Sequence, residues 1–454
     1  MRKNLIEKLG DDLLITPGKF KLNRVELSSR LFDIENKRSD ILGIVNEVNI
    51  FENIFSNVVT GNVMLTETVD LPSNFPIVGH ETIYFDISNP EIDLVTENSV
   101  FESEFKIYNL ASQTRPTDDT NVYVMNFQSE EIFKNHMTSI SKAYTGSSIS
   151  DYVKSIYDEY LNMGKDIEIE PTREYYNFVI PNWKPFYSIA WLAQNAVSET
   201  RFGSNYMFFE TRDGFVFSSL EKYFDGDVKQ TYQYEKSNEG GTSPVEDSHT
   251  KITDYSIVRR FNILDNIPIG MYSSKIIVHD IIKREIIVND YDYNDSYNKN
   301  SHLDDDEASF EWVMDDQVFE PQGDNSLIDP EVDGYSKSPL SFQKIISKHT
   351  GLYNEGSVSG GVRFISNDYT ESTIQSRISQ MAQLNNFMIS FVVPGDFERK
   401  VGDIIYFEIP NRLGIDRLYS GRYIILTLKH TLNPENHNME IIAAKDSYFS
   451  PLPA

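Results

Sequence analysis

Two distant stretches of this chain carry the same short β-pattern, so any fold must house both copies. Val78–Ile87 reads VGHETIYFDI and Val401–Ile409 reads VGDIIYFEI; each opens on Val-Gly, keeps Ile-Tyr-Phe and closes on an acid and Ile. The echo continues downstream, where Phe105–Phe127 lies over Tyr423–Lys445 without a gap and sets Leu110 over Leu428 and Pro116 over Pro434. The shared order is strand, Pro-containing turn, strand. A module written twice can sit beside its copy, and a small ring of such chains would present twice as many similar faces as subunits.

At 454 residues the chain exceeds one core, and length alone predicts about three domains. Phe 28 and Tyr 26 against Trp 3, with many Ile and Val, favour sheets, because flat and β-branched side chains suit a pleated surface. Cysteine is absent, which excludes disulfides, thiolate chemistry and Cys-zinc sites. The opening MRKNLIEKLGDDLL places acids where a secretory signal would be apolar, and no apolar run reaches membrane-spanning length, so a cytoplasm-like compartment or a particle assembled there is expected. A formal charge of −28 repels phosphate backbones and argues against tight nucleic-acid binding.

Residues 20–127 alternate short apolar runs with turn signals, which predicts an antiparallel barrel or sandwich. The period then changes. Ser148-x-x-Asp151 caps a predicted helix carrying Tyr152, Ile156, Tyr157, Tyr160 and Leu161, stopped by Gly164. After YYNFVIP, Asn182 and Pro185 introduce a second helix with Ile189, Leu192, Ala193, Ala196 and Val197 on one face. Arg212-Asp213-Gly214 reads as a hairpin turn, Lys236–His249 as a polar loop, and Ser274–Val288 as strand, turn, strand. Asp290–Glu307, with its acidic run Asp304-Asp305-Asp306-Glu307, reads as an exposed excursion. Ile374, Ile378, Met381 and Ala382 make the apolar stripe of a last helix ending at Asn385-Asn386, and the SPLPA tail is not expected to fold alone.

The expected fold is therefore mainly β (α+β): two similar antiparallel β-barrel domains, an α/β insertion and a further β-rich inserted region. The boundaries fall at 1–127 for the first barrel, 128–200 for the α/β connection, 201–275 for strands contributing to the second barrel region, 276–370 for the insert, and 371–454 for the second barrel.

No motif commits the chain to chemistry. Phosphate-loop, dinucleotide and His-Glu-x-x-His patterns are missing. Gly356-Ser357-Val358-Ser359-Gly360 has valine where a nucleophile elbow needs serine, and reads as a loop. His430 and His437 flank the Asn433-Pro434 turn and read as surface histidines. Asp290-x-Asp292-x-Asn294 opens like a calcium loop but has Asp295 for the glycine and Ser301 for the terminal glutamate. No pair among the 69 acids stands out for glycoside hydrolysis, and the aromatics of FVIPNWKPFYSIAW fit a strand and a helix on a core. The expected catalytic, cofactor and metal residues are none.

The succession FDIENKRSDILGIVNEVNIFENIFSNVVTGNVMLTETVDL, FVIPNWKPFYSIAWLAQNAVS, YMFFETRDGFVFSSLEKYF and SGRYIILTLKHTLNPENHNMEIIAAKDS, spanning Leu22 to Ser447, resembles the central baseplate hub proteins of contractile-tailed bacteriophages and the related hubs of secretion-system spikes. That resemblance implies a non-enzymatic virion protein: a homotrimer whose paired barrels form a pseudo-sixfold ring. The implied partners are the tail tube or its initiator, a trimeric puncturing spike and the baseplate wedge proteins. DNA would pass through the bore unbound, past an acidic lining. By the same resemblance, Val78–Ile87, Val401–Ile409, Phe105–Leu110 and Tyr423–Leu428 build the ring. The competing readings are a tail-associated cell-wall glycan hydrolase and a carbohydrate-binding host-recognition protein.

Overall fold

The computed structural model describes residues 18–29, 38–68, 77–88, 100–117, 119–200, 203–234, 249–280, 284–293, 300–304, 343–348, 362–364, 374–410, 415–416, 418–434 and 436–447, with Leu71, Phe75 and Ser296. Most of the Lys236–His249 loop, the 356–360 run and the SPLPA tail lie outside these residues.

The first module consists of β1 (Lys21–Ser29), β2 (Arg38–Asp40), β3 (Val45–Asn53), β4 (Thr60–Glu67), β5 (Glu81–Ser88), β6 (Val100–Thr117) and β7 (Thr120–Gln128). In β4 and β7 every second residue is buried, the period-2 pattern of a sheet with one face on a core. That core gathers Val25, Leu27, Val48, Ile50, Val63, Ile83, Phe85, Phe105 and Phe127. Gly61 is required here, since a Cβ would stand 2.3 Å from the Phe127 ring.

The middle holds α1 (Glu131–Met137), β8 (Ile140–Ser147), α2 (Ile149–Ile156), β9 (Ile167–Ile169), β10 (Tyr175–Trp183), α3 (Pro185–Asn195), β11 (Tyr206–Thr211), β12 (Gly214–Ser219) and α4 (Leu220–Phe224). Ser148 caps α2 through a reciprocal box with Asp151, as its sequence signature predicts. The helix then widens into one π-turn at Tyr157–Leu161. Tyr152, Ile156, Tyr157, Ile189, Leu192, Phe208 and Phe217 share a second core. The 206–219 hairpin, expected in the second barrel region, instead pairs β12 with β9 in a separate three-stranded sheet. Its two faces serve two cores: Phe208, Phe215 and Phe217 point to the α/β unit, Phe209 and Val216 to the C-terminal module.

The rest comprises β13 (Val228–Gln233), β14 (Asp254–Arg259), α5 (Ile263–Ile269), β15 (Ser273–Asp280), β16 (Glu285–Asp292), β17 (Gln343–Lys348), β18 (Val362–Phe364), α6 (Ile374–Leu384), β19 (Phe387–Pro394), β20 (Ile404–Glu408), β21 (Gly421–Leu432) and β22 (His437–Lys445). The expected apolar stripe is only part of what α6 buries: Ala382 and Leu384 enter the core and Met381 packs against it, Ile374 and Ile378 are half-buried, and Gln375, Ser379, Gln380 and Gln383 are buried as well. The reason is backbone demand: Gln375 donates to Ser274 O at 2.9 Å, Ser379 to Met271 O at 2.6 Å and Gln383 to Asp446 O at 2.9 Å.

The acidic excursion is corrected at its described end. Leu303 and Asp304 are buried against the C-terminal module, where Leu303 N donates to Asp446 Oδ1 at 3.1 Å and Asp304 N to Ser447 Oγ at 3.0 Å. Asp290 and Asp292 belong to the extended strand β16.

Candidate assembly interface

The two modules have matching strand order. In the first the sequence of neighbours is β1-β5-β6-β7-β4-β3, and in the second β13-β20-β21-β22-β19-β14. The Ile-Tyr-Phe echo holds the same place in both, because Ile83 faces Phe105 as Ile405 faces Tyr423. The next strand also bulges at the same point, between Ile107 and Asn109 in β6 and between Ile425 and Thr427 in β21. Two details depart from the gapless sequence match. Phe127 faces Ile107 while Ala443 faces Ile425, so Phe127 takes the place of Ala443 rather than Lys445, and Pro116 lies inside β6 whereas Pro434 lies in the turn. The first strands differ in direction as well: β1 runs antiparallel to β5, β13 parallel to β20.

The modules join edge to edge into one sheet of thirteen strands. Thr427–Leu432 of β21 pairs antiparallel with Val48–Asn53 of β3, and Ile54 N donates to Leu426 O at 2.9 Å. In each module a connecting segment bonds to strands of its own sheet. Ile41 N donates to Val25 O at 2.9 Å in the first; in the second, Ile252 N donates to Gln233 O at 2.9 Å and Thr253 N to Val392 O at 2.8 Å.

Side chains lock this seam. Phe397 leaves the second module to enter the first core, stacking on Phe101 with centroids 5.2 Å apart. It also stacks on His430 at 4.9 Å and His437 at 4.5 Å. The two histidines are buried rather than at the surface, with His430 Nδ1 3.0 Å from His437 Nε2. Gly395 leaves room for that packing, since a Cβ there would stand 2.2 Å from the His437 ring. Burial pushes His430 down to about 3 and His437 well below its ordinary value, so both are neutral. Beside them Glu52 is fully buried; burial pushes it up to about 8 against the backbone bond from Val401, so it carries its proton at neutral pH.

The α/β unit is tied to the first module through Glu210, which accepts from Val59 N at 2.7 Å and is held within its own unit by Lys165, 2.5 Å from Glu210 Oε1 and 3.0 Å from Glu131 Oε2. In the second module Lys445 is buried, which lowers it to about 8, and its ammonium lies 4.8 Å from the Phe387 ring centre. Asp304 opposes it, raised to about 6 by burial. Glu52, Lys165 and Phe397 gave no sequence signal, because each matters only through residues distant in the chain. Among the described residues no cluster of three or more His, Cys, Asp or Glu could hold a metal, and no helix is long and apolar enough to cross a membrane.

The fold, paired sheets seamed edge to edge with an α/β unit clasped to the first, is similar to that of two solved tail proteins. The structure matches the tail protein from Neisseria meningitidis MC58 with a TM-score of 0.52 at 9% identity, covering 93% of this chain and 96% of that one. It matches the 43 kDa tail protein of prophage MuSo2 from Shewanella oneidensis with a TM-score of 0.53 at 7% identity, covering 93% and 98%. In sequence, the chain is 20% identical over 419 residues to the probable baseplate hub protein gp334 of Vibrio phage KVP40, covering 89% of this chain and 90% of that protein. No family model matches the sequence. The resemblance to baseplate hub proteins, first carried by the order of motifs, thus extends along most of the chain.

Proposed function

We propose that this chain is the structural hub of a phage tail baseplate, a virion protein that acts by geometry and not by catalysis. The observation that carries the reading is the matched strand order of the two modules. Three chains with two comparable sheets each offer six similar positions around an axis, which suits an adaptor between a sixfold tail tube and a threefold spike. Tube or tube-initiator, spike and wedge proteins are its partners, held by broad surfaces, and DNA crosses the bore without specific binding past a lining made acidic by the surplus of Asp and Glu. Residues 276–370 are read as an inserted β-rich and loop domain. Light-scattering mass measurement, alone and with tube and spike proteins, tests this: the hub gives a particle of three 52.3 kDa chains. A chain that stays single in every mixture contradicts it.

A further inference from the structure

The seam inside the chain has two ends left over. β14 takes the place of β3, since Ile257 faces Ile389, the partner of Ala443, as Ile50 faces Gly61, the partner of Phe127. The outer half of β6 takes the place of the outer half of β21. Within the chain these positions are filled; at the two free edges they are bare. Ile50 is 0% exposed and Ile257 40%; the bulge residue Leu426 is 1% exposed and its counterpart Tyr108 49%. Among the described residues β14 pairs only with β19, and β6 beyond Lys106 pairs only with β7. The bare edge of β14 continues into Val258, Phe261 and Leu264, all exposed. An unpaired edge flanked by apolar side chains invites another strand.

We propose that β14 of one subunit pairs antiparallel with the outer half of β6 of the next, repeating between chains the register that β3 and β21 use within one. This rests on the hub reading and names the surface it requires. Carrying the internal pairs of Lys429 with Phe51 and His430 with Ile50 across places Ala111 opposite Arg259 and Ser112 opposite Ile257. Ser112 has a left-handed φ of 53° at the irregularity between Ala111 and Thr114, so the most regular contact is the stretch from Tyr108 to Ala111. Phe261 then falls opposite Asn109 and beside Tyr108, covering it as β3 covers Leu426, while Ile257 and Val258 lie further along against Ser112 and Ala111. The contact joins unlike surfaces, head to tail, so each chain offers one edge and receives the other, and three chains close the circle by alternating internal and intersubunit seams.

The chain has no cysteine, so introduced thiols report contact without background. The double variant Ala111→Cys/Arg259→Cys, treated with a short bis-maleimide, is expected to yield covalent dimers and trimers on denaturing gels, whereas either single variant yields none. Val258→Asp/Phe261→Asp alters exposed residues only, so the far-UV spectrum is unchanged while association weakens by at least about tenfold, as charges buried without partners require. Trimers that survive both aspartates and never cross-link overturn the seam and leave the hub reading standing. A chain that remains single at the highest attainable concentration, with and without tube and spike proteins, overturns both.

Discussion

Glu52→Gln probes the internal seam through a proton. Glu52 lies on β3 opposite Leu428, fully buried, with its carboxyl held protonated up to about pH 8 against an ordinary value of 4.5. The unfolded chain releases this proton near pH 4.5, whereas the folded chain keeps it. A raised carboxyl of this kind contributes stability that is fully present below pH 4.5 and is lost as pH rises, until the folded group ionises near 8. Each unit of pH in that window costs ~1.4 kcal/mol, so by pH 7 the buried acid has cost about 3 kcal/mol relative to a neutral group of the same shape. Glutamine is such a group, and its amide oxygen can still accept the Val401 N–H. The variant should match the parent near pH 4.5 and exceed it by about 3 kcal/mol at pH 7, a gap of roughly 5–10 °C in melting temperature for a unit of this size. Scanning calorimetry of both proteins at pH 5, 6, 7 and 8 measures the difference directly. Melting curves that stay parallel across this range would show that Glu52 is ionised in the folded state, and the argument would fail.

Other expectations are briefer. Phe397→Ala removes the ring stacked on Phe101, His430 and His437, and should cost about 3–5 kcal/mol in urea unfolding; a loss under about 1 kcal/mol would mean that the ring is not a clasp. Because His430 and His437 are held neutral, stability should decline as pH falls below 6.5, where the unfolded imidazoles bind protons that the folded ones refuse; His430→Phe should flatten that acid limb, and an unchanged slope would contradict it. Ser148→Ala removes the acceptor for Asp151 N and should lower stability by ~1 kcal/mol, seen as an earlier thermal transition of the α/β unit. Purified protein incubated with peptidoglycan should release no soluble sugar above a blank.

Local signals were legible in the sequence wherever a few neighbouring residues decide the outcome. The cap at Ser148, the Pro185 helix start, the Arg212–Gly214 turn and the Ser274–Val288 hairpin all read correctly, because caps and turns are settled within four residues. The duplication was legible because Ile-Tyr-Phe faces the same neighbours twice. In helix α6 the spacing found Met381 and Ala382 but missed the buried glutamines, because amphipathic spacing counts apolar residues and is blind to amides that satisfy backbone groups in the interior. The histidines beside Pro434 misled for a related reason: a turn predicts exposure only for its tip, and Phe397, 33 residues before Pro434's neighbour His430, covers the flanks. The parallel direction of β13 against β20 left no trace in composition, since strand direction is set by how the intervening chain returns.

The visit of Phe397 and Leu432 to the N-terminal core has a consequence for synthesis. On the ribosome, β1 to β7 emerge first, yet the pocket that these two side chains fill stays vacant until almost the whole polypeptide has been made. The nascent N-terminal half must therefore wait, incompletely consolidated, for the end of its own message.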